Sequence, residues 1–192
     1  MGREARIAMI KVTWEWLGQG AALDLADTVT IEDGRERDLI VSPQSYERWA
    51  REEAGFLPES LAGPLREGRR QMLDLRTVIR NVIGAVATGA RPTRSPIERL
   101  NRISGSSPEW TELDPTSLEL RTSTSGRAMD RLLAWYARSA LSVVATQRDQ
   151  VRRCPAPSCG MFYVRSRPSQ RWCSPQCGSR ARVARHYARH RG

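Results

Sequence analysis

Residues 154–192 read CPAPSCGMFYVRSRPSQRWCSPQCGSRARVARHYARHRG and contain all four cysteines of a 192-residue chain. The cysteines form two close pairs, Cys154-x4-Cys159 and Cys173-x3-Cys177, separated by thirteen residues. Two such pairs joined by a short segment bring four thiolates into a small volume, which suits a tetrahedral zinc ion. The spacing therefore predicts one structural zinc ion per chain, with these four cysteines as its ligands.

Two other uses of the cysteines are weaker alternatives. Disulfides are disfavoured in a reducing cytoplasm, and the N-terminus MGREARIAMIK has no long apolar stretch of the kind found in a secretory signal. A redox dithiol is more often C-x-x-C beside a βαβ pattern, which the sequence lacks. A zinc ion closed by four sulfurs has no open position for water or substrate, so the site is predicted to be structural rather than catalytic.

The same end of the chain carries the whole net charge of +10. Residues 1–150 contain equal numbers of acidic and basic side chains, whereas residues 151–192 contain no acidic residue and ten arginines: Arg152, Arg153, Arg165, Arg167, Arg171, Arg180, Arg182, Arg185, Arg189 and Arg191. This asymmetry favours a neutral body with a segment that binds a polyanion. The alternative is a solvated basic tail, which would have no use for four cysteines.

The residues between and after the cysteines predict a treble-clef-like zinc finger. Residues 161–164 (MFYV) are expected to form a strand, and Arg171-Trp172 to return antiparallel to it. Ser174-Pro175 supplies a cap and a first turn, which places Cys177 at the start of a final helix. A unit this small has little core, so zinc should contribute most of its folding energy.

The final helix separates its side chains by face. One side carries Arg182, Arg185, His186 and Arg189, and the other carries Val183, Ala184 and Tyr187. The apolar side is predicted to pack on the zinc hairpin beside Phe162 and Trp172, which would hold the arginines outward. The candidate nucleic-acid-binding residues are Arg165, Arg167, Arg171, Arg182, Arg185, His186 and Arg189. Arg180 lies nearer the inner side and is expected to brace the zinc unit or contact the body.

The body is predicted to be mainly helical with a small antiparallel β element. Residues 9–17 (MIKVTWEWL) alternate as a strand does, GQG at 18–20 indicates a turn, and residues 21–29 fit either a helix or a second short element. Helices are predicted to begin at Ser42-Pro43 and to run to about Glu53, and to begin at Gly63-Pro64 and end at Gly89.

Three further elements complete the body. A helix is predicted to begin at Ser95-Pro96 and to end before Ser104-Gly105. Within the Ser-, Thr- and Pro-rich stretch 106–125, residues 110–113 and 118–121 fit a short hairpin. A last helix is predicted from Gly126 to about Gln150. The predicted division of the chain is therefore a body over 1–150 and a finger over 151–192.

The finger resembles the CGNR-type zinc finger family. That family is named for the run at its last cysteine, which here reads Cys177-Gly178-Ser179-Arg180, with Ser179 in the position of the family's Asn. The paired cysteines, the aromatic pair Phe162-Tyr163, the run RWCS at 171–174 and the basic end also agree. The resemblance implies a finger that binds DNA.

The body resembles the helical ABATE domain that usually precedes this finger. The family's early motif, roughly LDFVNT, is matched by LDLADT at residues 23–28, with Asp27 in the position of an Asn. The run RDLI at 37–40, residues 45–49 and the stretch 65–101 also fit. The resemblance covers nearly the whole chain and implies a stress-induced transcription regulator.

Asp24, Asp27 and Thr28 are small polar residues inside an apolar stretch. Turn and capping bonds to nearby backbone are one interpretation. A polar floor for a small effector ligand is a second. Docking of the finger through Arg180 is a third, so these four residues are a candidate ligand or docking site.

The resulting hypothesis is a cytoplasmic, DNA-binding transcription regulator, whose useful sequence specificity would require a homodimer. The first alternative is a zinc-stabilised module that binds an acidic protein surface or RNA. The second is an enzyme, but the sequence shows no nucleophile–base arrangement, no phosphate-binding glycine loop and no open metal site, so no activity is expected. No apolar run approaches the roughly 20 residues of a membrane helix, so no membrane contact is expected.

Overall fold

The structure is a computed structural model that describes Trp14, Trp16 and residues 18–190. Within those residues the chain forms seven α-helices, one short 3₁₀ helix at Ala54–Phe56 and three antiparallel two-stranded sheets. The helices are α1 (Ala21–Ala26), α2 (Pro43–Glu53), α3 (Glu59–Glu67), α4 (Arg69–Ala87), α5 (Arg94–Gly105), α6 (Ala128–Gln147) and α7 (Pro175–His190). The strands are β1 (Val29–Glu32), β2 (Arg35–Asp38), β3 (Glu109–Leu113), β4 (Leu120–Thr124), β5 (Val151–Arg153) and β6 (Phe162–Val164). The predicted fold class is confirmed: mainly α, small antiparallel sheets, and a four-cysteine finger at the C-terminal end.

The strand predicted over residues 9–17 lies outside the described residues, except for Trp14 and Trp16. Trp14 is buried, and its ring meets the Trp16 ring edge to face at 5.1 Å. The turn predicted at 18–20 is present, since Gly18 and Gly20 both have positive φ. The segment after it is a helix followed by a strand, which settles the alternative left open for residues 21–29.

Two predicted helix boundaries agree with local capping chemistry. Helix α2 begins at Pro43 because the Ser42 hydroxyl accepts a hydrogen bond from Ser45 N at 3.1 Å, and the Ser45 hydroxyl accepts one from Ser42 N at 3.0 Å. Helix α4 stops before Gly89, whose φ of +76° lets Ala90 N donate back to the Ala85 carbonyl at 2.9 Å.

The prediction that the long helix begins at Gly63-Pro64 is wrong. Both residues lie inside α3, and the long helix α4 begins at Arg69. The break falls at Gly68, where an added Cβ would lie 2.4 Å from the Met129 side chain. We attribute the break to the close approach of α6 at Gly68. The apolar pattern of the sequence predicts one continuous helix across this point.

The body core lies between α4 and α6, with α1 and α5 packed beside them. Both long helices send fully buried side chains into it, among them Ile79, Ile83, Leu132 and Tyr136. The predicted hairpin of β3 and β4 is present and pairs Leu113 with Leu120. Its second strand begins at Leu120 rather than at Leu118, which has a φ of +57° and lies in the turn.

Arg76 of α4 clamps the β1–β2 hairpin to the body. Its guanidinium donates two hydrogen bonds to the Asp38 carboxylate, at 2.8 and 2.6 Å, and one to the Thr28 hydroxyl at 2.9 Å. Although burial opposes it, this guanidinium holds the pKa of Asp38 below its ordinary value. The two-pronged geometry of arginine fixes the hairpin in orientation as well as in position.

The finger sheet differs from the prediction in one strand. Strand β6 lies where residues 161–164 were predicted to form a strand, but its partner is β5, with Val151 opposite Val164. Arg171-Trp172 is not a strand. The physical reason is that β5 follows α6 after a three-residue turn and buries Val151 in the body core. Cys154 N extends the ladder by donating to the Met161 carbonyl at 2.7 Å.

The loop between β5 and β6 rests on the β1–β2 hairpin. The Cys159 carbonyl accepts hydrogen bonds from Ile31 N, at 2.8 Å, and from the Thr30 hydroxyl. Gly160 follows with a φ of +72°, and an added Cβ there would lie 2.4 Å from Ile31 Cγ1. Finger and body thus meet through two hydrogen bonds to the Cys159 carbonyl and through the contact of Gly160 with Ile31, which leaves no room for a side chain at Gly160.

None of the helices among the described residues combines the length and apolar composition needed to cross a membrane.

We expect Gly160→Ala to lower the free energy of unfolding by about 2–5 kcal/mol. The left-handed backbone costs roughly 1–2 kcal/mol with a Cβ, and overpacking against Ile31 adds about 1–3 kcal/mol. Gly34→Ala is the matched control, because Gly34 has a similar φ of +76° and an added Cβ there meets no described atom within 4 Å. Urea denaturation of the zinc-loaded protein measures both variants. Equal losses would contradict the contact between finger and hairpin.

Candidate metal centre and basic helix

The four cysteine side chains form one cluster between the β5–β6 loop and the start of α7. Their sulfur atoms all lie within 4.8 Å of one another. Cys173 Sγ is 3.6 Å from Cys159 Sγ and 3.4 Å from Cys177 Sγ. A tetrahedral zinc ion with Zn–S bonds of about 2.3 Å places its sulfurs about 3.8 Å apart. The cluster fits one zinc ion held by Cys154, Cys159, Cys173 and Cys177, as the spacing predicted.

Hydrogen-bond donors surround the sulfurs. Cys173 N lies 3.5 Å from Cys154 Sγ, and the Arg180 guanidinium donates to Cys177 Sγ at 2.9 Å. Ser174 caps α7 by accepting from Cys177 N at 3.3 Å, which fixes the last ligand in the first turn. These contacts orient the ligands and stabilise the thiolate form that zinc needs.

Crowding of the sulfurs makes the cluster depend on the metal. Hydrogen bonds to Cys154 and Cys159 raise the pKa of Cys173, because they favour its protonated form. Zinc binds all four as thiolates and compensates half of their charge. The metal therefore supplies the attraction that lets four cysteines share this space.

Asp27 holds the finger to the body from the inside. Its Oδ1 accepts a hydrogen bond from Phe162 N at 2.7 Å, and both residues are buried. The Phe162 ring lies in the body core, with the guanidinium carbons of Arg80 and Arg153 at 5.6 and 5.8 Å from its centre. Burial raises the pKa of Asp27 well above its ordinary value, against the opposing effect of the Phe162 N–H.

The other two polar residues of the LDLADT motif bond to nearby backbone. The Asp24 carboxylate accepts from the main-chain N–H groups of Gly18, Gln19 and Gly20, at 2.9, 3.1 and 3.3 Å. The Thr28 hydroxyl donates to the Leu25 carbonyl at 2.7 Å and accepts from Arg76. These are turn and clamp contacts of the body.

The candidate docking set Asp24, Asp27, Thr28 and Arg180 does not come together as one site. Arg180 lies in the second turn of α7 and bonds Cys177, its neighbour one turn earlier, rather than Asp24 or Asp27. The Asp27 carboxylate accepts its hydrogen bond from the main-chain N–H of Phe162 in the finger and not from Arg180. Arg180 does face the body across an opening bordered by Trp16, Gly18 and Gln19.

Helix α7 has a buried start and an exposed end. Cys177, Gly178 and Ala181 are buried, whereas every residue from 182 to 190 is exposed. The exposed part carries Arg182, Arg185 and Arg189, together with His186. The basic side chains predicted to contact nucleic acid on this helix therefore project from the finger and meet solvent.

The prediction that Val183 and Tyr187 pack on the zinc hairpin is wrong. Their side chains are 54% and 61% exposed. The finger's own core is small, and the first two turns of α7 already cover it. Phe162, one of the expected packing partners, is buried in the body instead, whereas Trp172 packs in the finger core against Gly178.

The three candidate arginines of the finger loop occupy different positions. Arg165 is half-buried, and its guanidinium faces the carbonyls of Asp149 and Pro168 at 3.3 and 3.5 Å. Arg167 and Arg171 are exposed and border a concave surface that ends at the start of α7.

The sequence analysis missed a buried carboxyl group in the body. Glu53 is fully buried, and its Oε1 accepts a hydrogen bond from the Tyr136 hydroxyl at 2.7 Å. The signal was present, because Tyr46, Trp49 and Glu53 follow the i, i+3, i+7 spacing that puts all three on one face of a helix.

Two family models match the chain. Residues 19–147 match the ABATE family, described as "Putative stress-induced transcription regulator". Residues 150–190 match the CGNR zinc finger. The two matches confirm the resemblance inferred from LDLADT and from the cysteine segment. A search of curated proteins finds no match.

We expect the purified protein to hold about one zinc ion per chain, and Cys173→Ser to lose it. Because Cys159 bonds the hairpin, loss of zinc should also expose the Ile31 amide to hydrogen exchange. Metal analysis and hydrogen-exchange mass spectrometry measure the two effects. Ser169→Ala, an exposed change in the same loop, should keep the metal. An Ile31 amide that stays protected without zinc would show that the body is independent of the metal.

We expect Asp27→Asn to raise the free energy of unfolding at neutral pH. Asn keeps an acceptor for Phe162 N but removes a buried charge. Because the folded-state pKa of Asp27 is raised, its contribution to stability is full below the unfolded pKa of about 4 and is lost as pH rises through the folded value. The gain from Asn should therefore be larger at pH about 8 than at about 6. Denaturation at several pH values measures it. An Asn variant less stable than the parent at every pH would contradict this account.

Proposed function

Because the chain belongs to the ABATE family and ends in a CGNR zinc finger, we propose that it is a transcription regulator that binds double-stranded DNA through the exposed part of α7. One observation supports this most. The first two turns of α7 are fixed by the zinc ligands, and the following residues, 182–190, are all exposed and contain no acidic group. Zinc has a structural role here, since four sulfurs complete its shell.

The dimensions of the exposed segment suit a groove of DNA. At 1.5 Å per residue, residues 182–190 span about 13 Å, and a helix fits the major groove of B-DNA. Arg182, Arg185 and Arg189 lie on one side of it and can contact phosphates or guanine edges. The Arg182 guanidinium also reaches the hydroxyl of Ser179 at 3.0 Å, so the residue that replaces the family's Asn helps to hold this arginine.

A second group of contacts lies at the beginning of the same helix. Arg167 and Arg171 are exposed beside the N-terminus of α7, where the helix dipole favours negative charge. We assign these two arginines to backbone phosphates, which would set the orientation of the helix on the duplex. Arg165 braces the loop that carries them.

Several remaining features belong to this proposal. One finger contacts few base pairs, so a homodimer on two half-sites would supply useful specificity. We place the protein in the cytoplasm, where bacterial DNA and reduced thiols are both found. The name of the matched family supports a role in stress responses.

A competing function is an RNA- or protein-binding module. Exposed Val183 and Tyr187 lie among the arginines of α7, and an aromatic ring between basic side chains also suits unstacked bases. Competition between duplex and single strands separates the two functions.

We expect the zinc-loaded protein to enrich a motif from random duplex DNA, with log K falling against log salt at a slope of about −4 to −5. The Arg182/Arg185/Arg189→Ala variant should lose the motif and about 2–3 of that slope. A triple Arg48/Arg66/Arg70→Ala variant is matched in charge and lies on the body, so it should keep both. Selection followed by salt titration measures the effects. Equal binding by the two variants, or preference for single strands, would overturn the proposal.

A further inference from the structure

A cleft of about 510 Å³ opens on the body between α1, α2 and α6. Its volume falls within the range of about 300–1,000 Å³ usual for small-molecule sites. Gly20 and Ala21 at the start of α1 and Ser139 and Ser142 of α6 are among the residues that line it. The function proposed for the finger does not use this cleft.

The cleft floor contains a buried carboxyl group with an unused oxygen. Glu53 is fully buried, and Tyr136 satisfies its Oε1. Its Oε2 has no hydrogen-bond partner among the described residues. A buried oxygen without a partner costs free energy, so an incoming donor at this point would be favourable.

A second carboxylate lies beside it. Asp24 is buried and accepts three main-chain hydrogen bonds, which leaves capacity on a carboxylate that can accept about four. The charge of Asp24 adds to the burial that raises the pKa of Glu53 to about 8, and burial raises that of Asp24 itself to about 6. Among the described residues, no cationic side chain is among the causes that shift the pKa of Asp24 or Glu53. In this part of the chain, the cleft floor therefore has two acidic groups without a cation beside them.

The arginine in the cleft is committed elsewhere. Arg138 forms an ion pair with Glu109 at 2.9 Å, and its guanidinium also faces the carbonyls of Ser104 and Ser107 at 3.4 and 3.0 Å. Its charge is thus compensated by Glu109, whereas Asp24 and Glu53 are not matched. The cleft as a whole is acidic.

The walls add aromatic surface. Trp135 of α6 is half-buried along the cleft. Phe56 follows α2 and is 55% exposed, with its ring close enough to Gly18 that an added Cβ there would lie 2.9 Å from it. Aromatic faces attract cations as well as apolar groups. A ligand with a positive head and an apolar body matches both the floor and the walls.

We propose that this cleft binds a small organic amine, with its ammonium group at Glu53 and Asp24 and its carbon skeleton against Trp135 and Phe56. The ammonium donates to the unused oxygen of Glu53, and because the pKa of Glu53 is raised to about 8, its carboxyl releases a proton to solvent when the ammonium binds at neutral pH. Glu53 and Asp24 give charge selectivity, and the two rings give selectivity for size and shape. Binding here would make the ABATE body a sensor domain for such a cation.

The test uses the zinc-loaded full chain and three probes of one shape. They are phenethylamine, the neutral 2-phenylethanol and the anionic 3-phenylpropionate. Isothermal titration calorimetry follows binding. We expect phenethylamine to bind at least about tenfold more tightly than either other probe.

Two variants locate the site. Glu53→Gln keeps the contact with Tyr136 and should weaken phenethylamine at least about tenfold, whereas Glu47→Gln, on the exposed face of the same helix, should change it less than about twofold. Ser142→Phe adds a bulky side chain to the cleft lining and should block binding. The proposal is overturned if the alcohol binds as well as the amine, if Glu53→Gln and Glu47→Gln behave alike, or if phenethylamine does not bind at concentrations up to about 10 mM. None of these outcomes tests the proposal that the finger binds DNA.

Discussion

The hydrogen bonds between the β1–β2 hairpin and the Cys159 carbonyl join the metal centre to the rest of the protein. The Cys159 sulfur is a zinc ligand and the Cys159 carbonyl accepts from Ile31 N, so both the metal and the body hairpin fix this residue. Asp27 adds a buried bond to Phe162 N, whose ring enters the body core. A finger that is too small for a core of its own thereby uses the core of its neighbour.

The support for this junction continues into the body through two arginines of α4. Arg76 clamps Asp38 and Thr28, and Arg80 donates to the Ala26 carbonyl at 2.7 Å and to the Glu36 carboxylate at 2.8 Å. Each guanidinium therefore links the β1–β2 hairpin, or the turn before it, to α4. The contacts therefore run without a gap from the helical core, through the hairpin, to the cysteines and the start of α7. The position of α7, and with it that of its exposed arginines, thus depends on contacts in the body as well as in the finger.

Local signals in the sequence predicted most of these parts and little of their arrangement. The four cysteines, the cap at Ser42 and the stop at Gly89 each depend on neighbours within a few residues, so the sequence carries them directly. The partner of β6 depends on where α6 ends and on a main-chain ladder, which has no side-chain signature. Likewise, the apolar stripe of Val183 and Tyr187 predicts burial only if a surface is available, and the first turns of α7 already cover the small finger core. The helix start predicted at Gly63-Pro64 was wrong because the helix break falls at Gly68. Gly68 contacts Met129, which is distant in the sequence and gives no local signal.

The loop at residues 18–20 borders two openings, the acidic cleft of the body and the opening beside Arg180. Asp24 fixes this loop through three main-chain bonds, and Asp24 also belongs to the floor of the acidic cleft. On its other side, the loop borders an opening shared with Cys177 and Arg180 of the finger. A group that competes for the Asp24 carboxylate thus competes with the bonds that hold the loop beside the metal centre. The loop therefore borders both sites, and coupling between them would require two arrangements of the loop that each site favours differently.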